Sequence, residues 1–322
     1  AHVVSSPGIA WAYAGFNLRH PKLADLRVRR ALAMALDRQH IIDTLLAGRA
    51  RLSSGMFPPE HWAHADLAPI PFDAAAAEAL LDAAGLPRDA KTGIRLRLEL
   101  KVSTSRLRRA VARAVAHALA KVGVEVAVRA FELGTFLDDV RAGRFELFLL
   151  LLPEPLEPDF LAWMFHSQNA PIKAADPDAA SPYARLERRA LPPGLFSKSV
   201  IDDPDCGPWS HRAAAAGLSG FVLAALGLDA GFGSANRTAY HEPLVDCLLE
   251  LGRSRLDRPG RLAAYSRAQV IIRRDLPVIP LWFEDQSALV RKGVDLPDLA
   301  ADGRYHVLAR ARSITAPPGA AH

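Results

Sequence analysis

The spacing of apolar residues separates helical from extended stretches along the chain. Between residues 23 and 48 it follows the helical period, with Val28, Leu32 and Leu36 behind Asp25, then Ile42, Leu45 and Leu46 behind Asp37. An aspartate at a helix start accepts from first-turn amides, so the pattern predicts two capped helices, the second stopping at Gly48. A loop carrying Pro58, Pro59, Pro69 and Pro71 follows, then a short helix predicted over residues 73–84 and closed by Gly85. From Gly93 the pattern becomes β-α-β-α-β: an alternating strand over 94–102, a helix over about 105–122, a strand over 124–131, a short helix after Gly134, and an apolar strand over 146–152. In the long helix Leu107, Val111, Val115, Ala118, Leu119 and Val122 share one face, while Arg108, Arg109, Arg113 and Lys121 point away from it. Strands alternating with helices predict a largely parallel sheet, and the all-apolar strand belongs at its centre, covered on both faces.

Residues 170–233 combine proline and glycine with Asp-rich turns and one apolar stretch, 221–228, and read as an insertion. Regular structure resumes with helices over 243–251 and 259–274, each with proline near its first turn, where the missing N–H costs nothing. A strand is predicted over 276–283. The tail from 314 to 322, with Pro317, Pro318 and Gly319, is expected to be disordered.

Composition narrows the functional classes. The chain has 322 residues, half of them hydrophobic, which is enough for a substantial core. Its net charge of +5 comes with 33 Arg against 7 Lys, spread over many helices without zinc-ligand spacing or basic-aromatic interleaving, so nucleic-acid binding is not expected. The longest apolar run, 147–152, meets Pro153 and Glu154 well short of the ~20 residues that cross a bilayer. Cys206 and Cys247 suit either a disulfide in an oxidising compartment or two separate buried thiols. His61 and His64 lack partners for a metal and read as surface residues. Gly231-Phe232-Gly233 is not a dinucleotide fingerprint, Gly217-Leu218-Ser219-Gly220 is not a nucleophile elbow, and no Ser, His and Asp pattern emerges. No catalytic residue, metal or cofactor is expected.

Several segments, in order, resemble one family. Gly15-Phe16-Asn17 with Ala24-Asp25-Leu26-Arg27-Val28-Arg29-Arg30-Ala31-Leu32 and Ala35-Leu36-Asp37-Arg38 is similar to the strand and first helix of the second lobe in family 5 extracellular solute-binding proteins of dipeptide and oligopeptide type. Phe72-Asp73 through Leu80-Leu81-Asp82-Ala83-Ala84-Gly85-Leu86, Lys121-Val122-Gly123-Val124, and Gly143-Arg144-Phe145-Glu146 resemble its following signatures. Asn236, Tyr240, Val245-Asp246, Arg261, Tyr265, Ala268-Gln269 and Asp275-Leu276-Pro277-Val278-Ile279-Pro280-Leu281 resemble its C-terminal pattern.

The resemblance implies an α/β fold of the periplasmic binding protein type II kind, peptide-binding cluster. Residues 1–14 would end a first-lobe segment, 15–275 would form the second, ligand-binding lobe, and 276–313 would return to the first lobe. It covers the C-terminal half of such proteins, so the expectation is a fragment or a chain whose missing half comes from a second chain. It further implies the substrate-binding component of an ABC importer, outside the cytoplasmic membrane, closing two lobes on a peptide or similar small solute and meeting a permease. An oligosaccharide, an opine or a nickel chelate is the alternative ligand. The alternative role is a repurposed lobe acting as a protein-interaction or sensory module without transport.

In peptide binders of the family an acidic residue just after the buried strand pairs with the ligand ammonium, in a segment resembling residues 153–159. Glu154 stands at that position, with Glu157 and Asp159 behind it. A desolvated ammonium needs a charged partner; the alternative is a solvated acidic turn shaped by three prolines. The partner of the ligand carboxylate would follow the preceding strand, where Arg106 offers a bidentate fork or stands as a surface residue inside the helix. Leu151 and Leu152 occupy a place where relatives commonly have an aromatic residue, which loosens the case for a dipeptide. Trp282 would line the cleft or sit in the core.

Overall fold

The computed structural model describes residues 1–169, 202–207, 236–296, 299–302 and 309–313. Six strands form one mixed sheet: β1 (His2–Phe16), β2 (Ala50–Leu52), β3 (Leu96–Ser103), β4 (Val124–Phe131), β5 (Leu147–Leu152) and β6 (Val278–Val290), in the order β2-β6-β1-β5-β3-β4. The β-α-β-α-β unit is parallel as the sequence predicts, with β3 between β4 and β5. On its other side β1 runs antiparallel to β5, β6 antiparallel to β1, and β2 antiparallel to β6. A small ribbon, β7 (Val294–Asp295) with β8 (Arg312–Ser313), stands apart. The expected insertion and tail lie largely outside the described residues.

Each face of the sheet carries its own core. Even-numbered Ala12, Ala14 and Phe16 of β1, with Leu98, Leu100 and Val102 of β3, face α1 (Leu26–Met34), α2 (Arg38–Leu45), α3 (Ala74–Ala83) and α4 (Arg106–Lys121). Odd-numbered Trp11 and Tyr13, with Phe148 of β5, face α5 (Leu133–Arg141), α6 (Asp159–Phe165), α7 (Pro243–Ser254) and α8 (Arg258–Asp275). This is the two-residue alternation of a strand buried on both faces. Gly15 belongs there because any Cβ would come 2.2 Å from the Phe148 ring.

Local chemistry starts the helices where the sequence places them. Asp25, Asp37 and Asp73 accept from the amides of Arg27 (2.8 Å), His40 (3.0 Å) and Ala76 (2.8 Å), each cap worth about 1 kcal/mol. Between α4 and β4 the chain turns through Gly123 at φ +83°, a left-handed conformation that favours glycine.

Residues of the C-terminal signature act as braces. The Asn236 amide donates to the carbonyls of His166 (3.1 Å) and Tyr240 (2.7 Å), and the Tyr240 hydroxyl donates to Asp275 (2.8 Å). Asp246, buried on α7, accepts from the Ser167 amide (2.9 Å) and from its hydroxyl. Gln269 donates to the Ala63 carbonyl at 2.9 Å. Arg29 and Arg38 are buried cations whose donors serve backbone carbonyls: Arg29 reaches Leu23, Ala24, Asp275 and Leu276, and Arg38 reaches Ser53, Ile70 and Pro280. Burial, then the neighbouring Arg273, pushes the Arg38 guanidinium down to about 10.

The two cysteines, left open by the sequence, form a disulfide that ties residues 202–207 to α7. Arg267 of α8 holds the same segment through Asp203 and through Asp205 at 2.6 Å.

Candidate functional site

The carboxyl ends of parallel strands leave backbone groups and loops open at one edge of a sheet, and ligands of α/β folds gather there. At this edge β3 and β5 end side by side, roughly 4.8 Å apart as neighbouring strands. The loop after β5 is residues 153–158, and Glu154 stands half-buried two residues past the strand. After β3 comes Ser105, which makes no side-chain cap, and then α4, whose first residue is Arg106, exposed. The first-turn amides of α4 and the Arg106 guanidinium together favour an anion, and the Glu154 carboxylate favours a cation. One edge thus carries both polarities on adjacent strands.

Glu157 and Asp159 are both engaged from α8. Arg261 of α8 approaches Glu157 at 3.6 Å and Asp159 at 3.4 Å, and the Tyr265 hydroxyl donates to Asp159. Burial, followed by the Asp159 carboxylate, raises the Tyr265 hydroxyl above its ordinary value and keeps it a donor. His61 contacts the Leu156 carbonyl at 3.0 Å and stacks on Phe57, while Arg258 and Arg261 lie over the Trp62 ring at 5.0 and 5.2 Å. These contacts hold the C-terminal side of the loop against α8 and residues 57–62. His64 bonds the Phe57 carbonyl at 2.8 Å, and among the described residues no group of three or more metal-ligating side chains converges.

Two side chains at this edge take positions set by distant strands. Trp282 is fully buried in the core of the α1–α4 face and offers no surface to a ligand. The cause is a β-bulge: Ala12 pairs with Trp282 but Tyr13 pairs with Pro280, so the extra residue Leu281 breaks the alternation and turns both Leu281 and Trp282 to the same face. Arg108, which the helical pattern places away from the apolar face of α4, forms a two-pronged pair with Glu284 of β6, one contact at 2.7 Å. Their side chains are only 14% and 17% exposed, and the Trp282 indole also donates to Glu284 at 3.3 Å. Neither Arg108 nor Glu284 is singled out by the sequence, because 176 residues separate them and each reads locally as a surface charge.

The same edge is where β1 and β6 leave the sheet. Their inner halves pair from Gly15/Val278 to Ala10/Glu284, and their outer halves from Ser6/Gln286 to His2/Val290. Between the halves Pro7, Gly8 and Ile9 oppose Asp285 alone, an irregularity that bends the pair as it passes Glu284.

The fold is that of periplasmic peptide-binding proteins. The peptide-binding protein DppA from Helicobacter pylori, solved with the peptide STSA, superposes with TM-score 0.65 at 20% identity over 92% of this chain and 46% of that one. The oligopeptide-binding protein AppA of Bacillus subtilis, solved with a nonapeptide, gives 0.66 at 17% identity over 95% and 51%. In sequence the chain is similar to a dipeptide-binding protein of Pseudomonas aeruginosa, 28% identical over 46% of this chain and 28% of the relative. Heme-binding protein A of Haemophilus influenzae is 25% identical over 72% of this chain and 45% of the relative. The chain therefore spans about half, or less, of the proteins it matches. The family model for the middle portion of bacterial extracellular solute-binding proteins, family 5, matches residues 1–171, more than half of the sequence, and the chain belongs to that family.

Proposed function

We propose that this chain reads a peptide, or a small solute with similar charged ends, at the carboxyl edge of β3 and β5, as part of the substrate-binding component of an ABC importer acting outside the cytoplasmic membrane. The observation that carries this reading is the pairing of an acidic loop with an exposed-arginine helix start on adjacent parallel strands. Glu154 takes the ligand ammonium. Arg106 and the first-turn amides of α4 take the carboxylate. Glu157 and Asp159 hold the loop through Arg261 in place of direct contact with the ligand. The relatives bear names for dipeptides, oligopeptides and heme, and a further neighbour was solved with Ni(L-His), so zwitterionic peptides come first and metal chelates second among ligands to try. The role is binding and delivery, without bond chemistry.

In this reading the opposite wall of the cleft is a first lobe, supplied by further sequence or by a second chain, and a permease receives the closed form. The passage between lobes, expected near residues 14/15 and 275/276, runs along β1 and β6. The break at Pro7–Gly8–Ile9 is the flexing point, because it interrupts the ladder that would otherwise stiffen the pair.

The test is calorimetric titration of a dipeptide panel into the chain with its complementary lobe. A charge-assisted pair contributes about 1.5–3 kcal/mol, so Glu154→Ala should weaken dipeptide binding roughly 10- to 150-fold. N-acetylated peptides should bind wild type and variant alike. Unchanged affinity in the variant would remove Glu154 from the site, and no bound peptide or co-purifying solute in native mass spectrometry would remove the transport reading.

A further inference from the structure

At the opposite end of β6, about 20 Å along the strand from Glu284, the surface opens into a cavity of about 350 Å³. Its apolar wall is made by Met34 at the end of α1, Ile70 from the loop before α3, and Val270 of α8, which is 51% exposed. Three guanidinium groups stand around it: Arg30, Arg273 and Arg274. The volume lies at the lower end of ligand pockets, roughly 300–1,000 Å³.

The charges here are out of balance. Arg274 is neutralised by Asp275 at 2.7 Å. Among the described residues Arg30 and Arg273 reach only backbone carbonyls, Arg30 that of Arg274 and Arg273 that of Ala68, both at 3.3 Å. Among the described residues the buried Arg273 Nε–H finds no acceptor. Burial first, and then the Arg30 charge, lowers the Arg273 guanidinium from its ordinary value, and Arg273 in turn lowers buried Arg38. Like charges gathered beside an apolar wall are unfavourable until an anion enters.

We propose that this cavity binds an amphiphilic anion, its carboxylate or phosphate held between Arg30 and Arg273 and its short apolar chain laid along Met34, Ile70 and Val270. Arg30 and Arg273 supply directed N–H donors that suit either oxyanion, and the apolar wall selects against fully hydrated inorganic ions. The source of such an anion is a free metabolite or a lipid headgroup with the first carbons of its chains. The site stands at the far edge of the sheet from Glu154 and does not depend on the peptide-binding reading.

Octanoate, below its aggregation concentration, is the probe, titrated calorimetrically into wild type, Arg30→Gln, Arg273→Gln and Arg109→Gln. Arg30 and Arg109 are both exposed, so loss of either leaves the fold intact, and Arg109 on α4 controls for net charge. Octanoate should bind wild type and the Arg109 variant equally and each cavity variant at least tenfold more weakly, while neutral 1-octanol and inorganic phosphate bind far less well. No octanoate binding to wild type, equal binding in Arg30→Gln, or equal loss in Arg109→Gln would overturn the site. Co-sedimentation with phosphatidylglycerol vesicles that Arg30→Gln abolishes would assign the source to lipid, and octanoate binding without sedimentation would assign it to a free anion.

Discussion

The Arg108–Glu284 pair ties α4, the helix after β3, to the outgoing strand β6, and its strength can be worked from its surroundings. Two unit charges about 4 Å apart attract by roughly 4 kcal/mol at an effective dielectric of 20. Desolvation removes part of this, and exposures of 14% and 17% mean that water still reaches both groups. Arg108→Met leaves a mostly buried carboxylate with the Trp282 indole at 3.3 Å as its remaining polar contact in this network, so the low end of the range for a broken buried pair applies, about 3 kcal/mol. Glu284→Gln keeps an acceptor for the guanidinium and should cost about 2 kcal/mol. The double variant strands no charge against a carboxylate and should also cost about 2 kcal/mol. The expected coupling is therefore about 3 kcal/mol.

Urea unfolding of the four proteins, with m-values checked for constancy, measures this cycle directly. Because the pair is shielded, the coupling should persist in 0.5 M salt, where an exposed pair would fade. If the two single losses add to within about 0.5 kcal/mol of the double variant, the pair is a surface contact in energetic terms and the reasoning fails.

Other expectations follow from the same structure. Asp139 sits 2.7 Å from Lys101, which is nine-tenths buried; that bond, with Arg144, holds the carboxyl below its usual range against the opposing effect of burial. A depressed carboxylate contributes stability above the unfolded value near 4 and loses it as pH falls toward the folded value, so wild type should lose this increment below about pH 4 while Asp139→Asn, about 2–3 kcal/mol weaker at pH 7, should lack that part of the acid limb in pH-dependent unfolding. Arg38→Met should destabilise by about 3 kcal/mol or more in denaturant unfolding, because the Ser53, Ile70 and Pro280 carbonyls lose a buried donor together. Replacing both Cys206 and Cys247 by alanine should cost about 3–4 kcal/mol, the loop-closure effect of a 41-residue separation, and a thermal midpoint unchanged by reductant in wild type would contradict it.

What the sequence reveals divides along the line between local and distant causes. Asp25, Asp37 and Asp73 cap helices through amides two or three residues away, and the β-α-β-α-β unit is bounded by its own glycines, so both were legible to within a residue or two. The strands that join it from afar were not. The strand predicted over 276–283 stops where the apolar run meets Glu284, yet backbone pairing with β1 carries β6 to Val290, and three-residue β2 exists only as a partner of β6. β1 hides differently: residues 10–16 are buried on both faces, which erases the alternation that would announce a strand.

The site shows the same division with more consequence. Glu154 and Arg106 are positions that the family resemblance implies, each just after a strand whose end can be read locally, and the edge they share follows from the parallel order of β3 and β5. The sequence leaves Trp282 open between cleft and core because its direction depends on a bulge set by the register against β1, more than 260 residues earlier. Arg29, Arg38 and Arg108 all look like surface cations in the sequence, but carbonyls or a carboxylate brought from more than 170 residues away bury them. A charge on an amphipathic helix is thus readable as solvent-facing only where no strand from elsewhere in the chain closes over it. Arg109, beside Arg108 on the same helix but one position further around it, stays exposed as its sequence predicts.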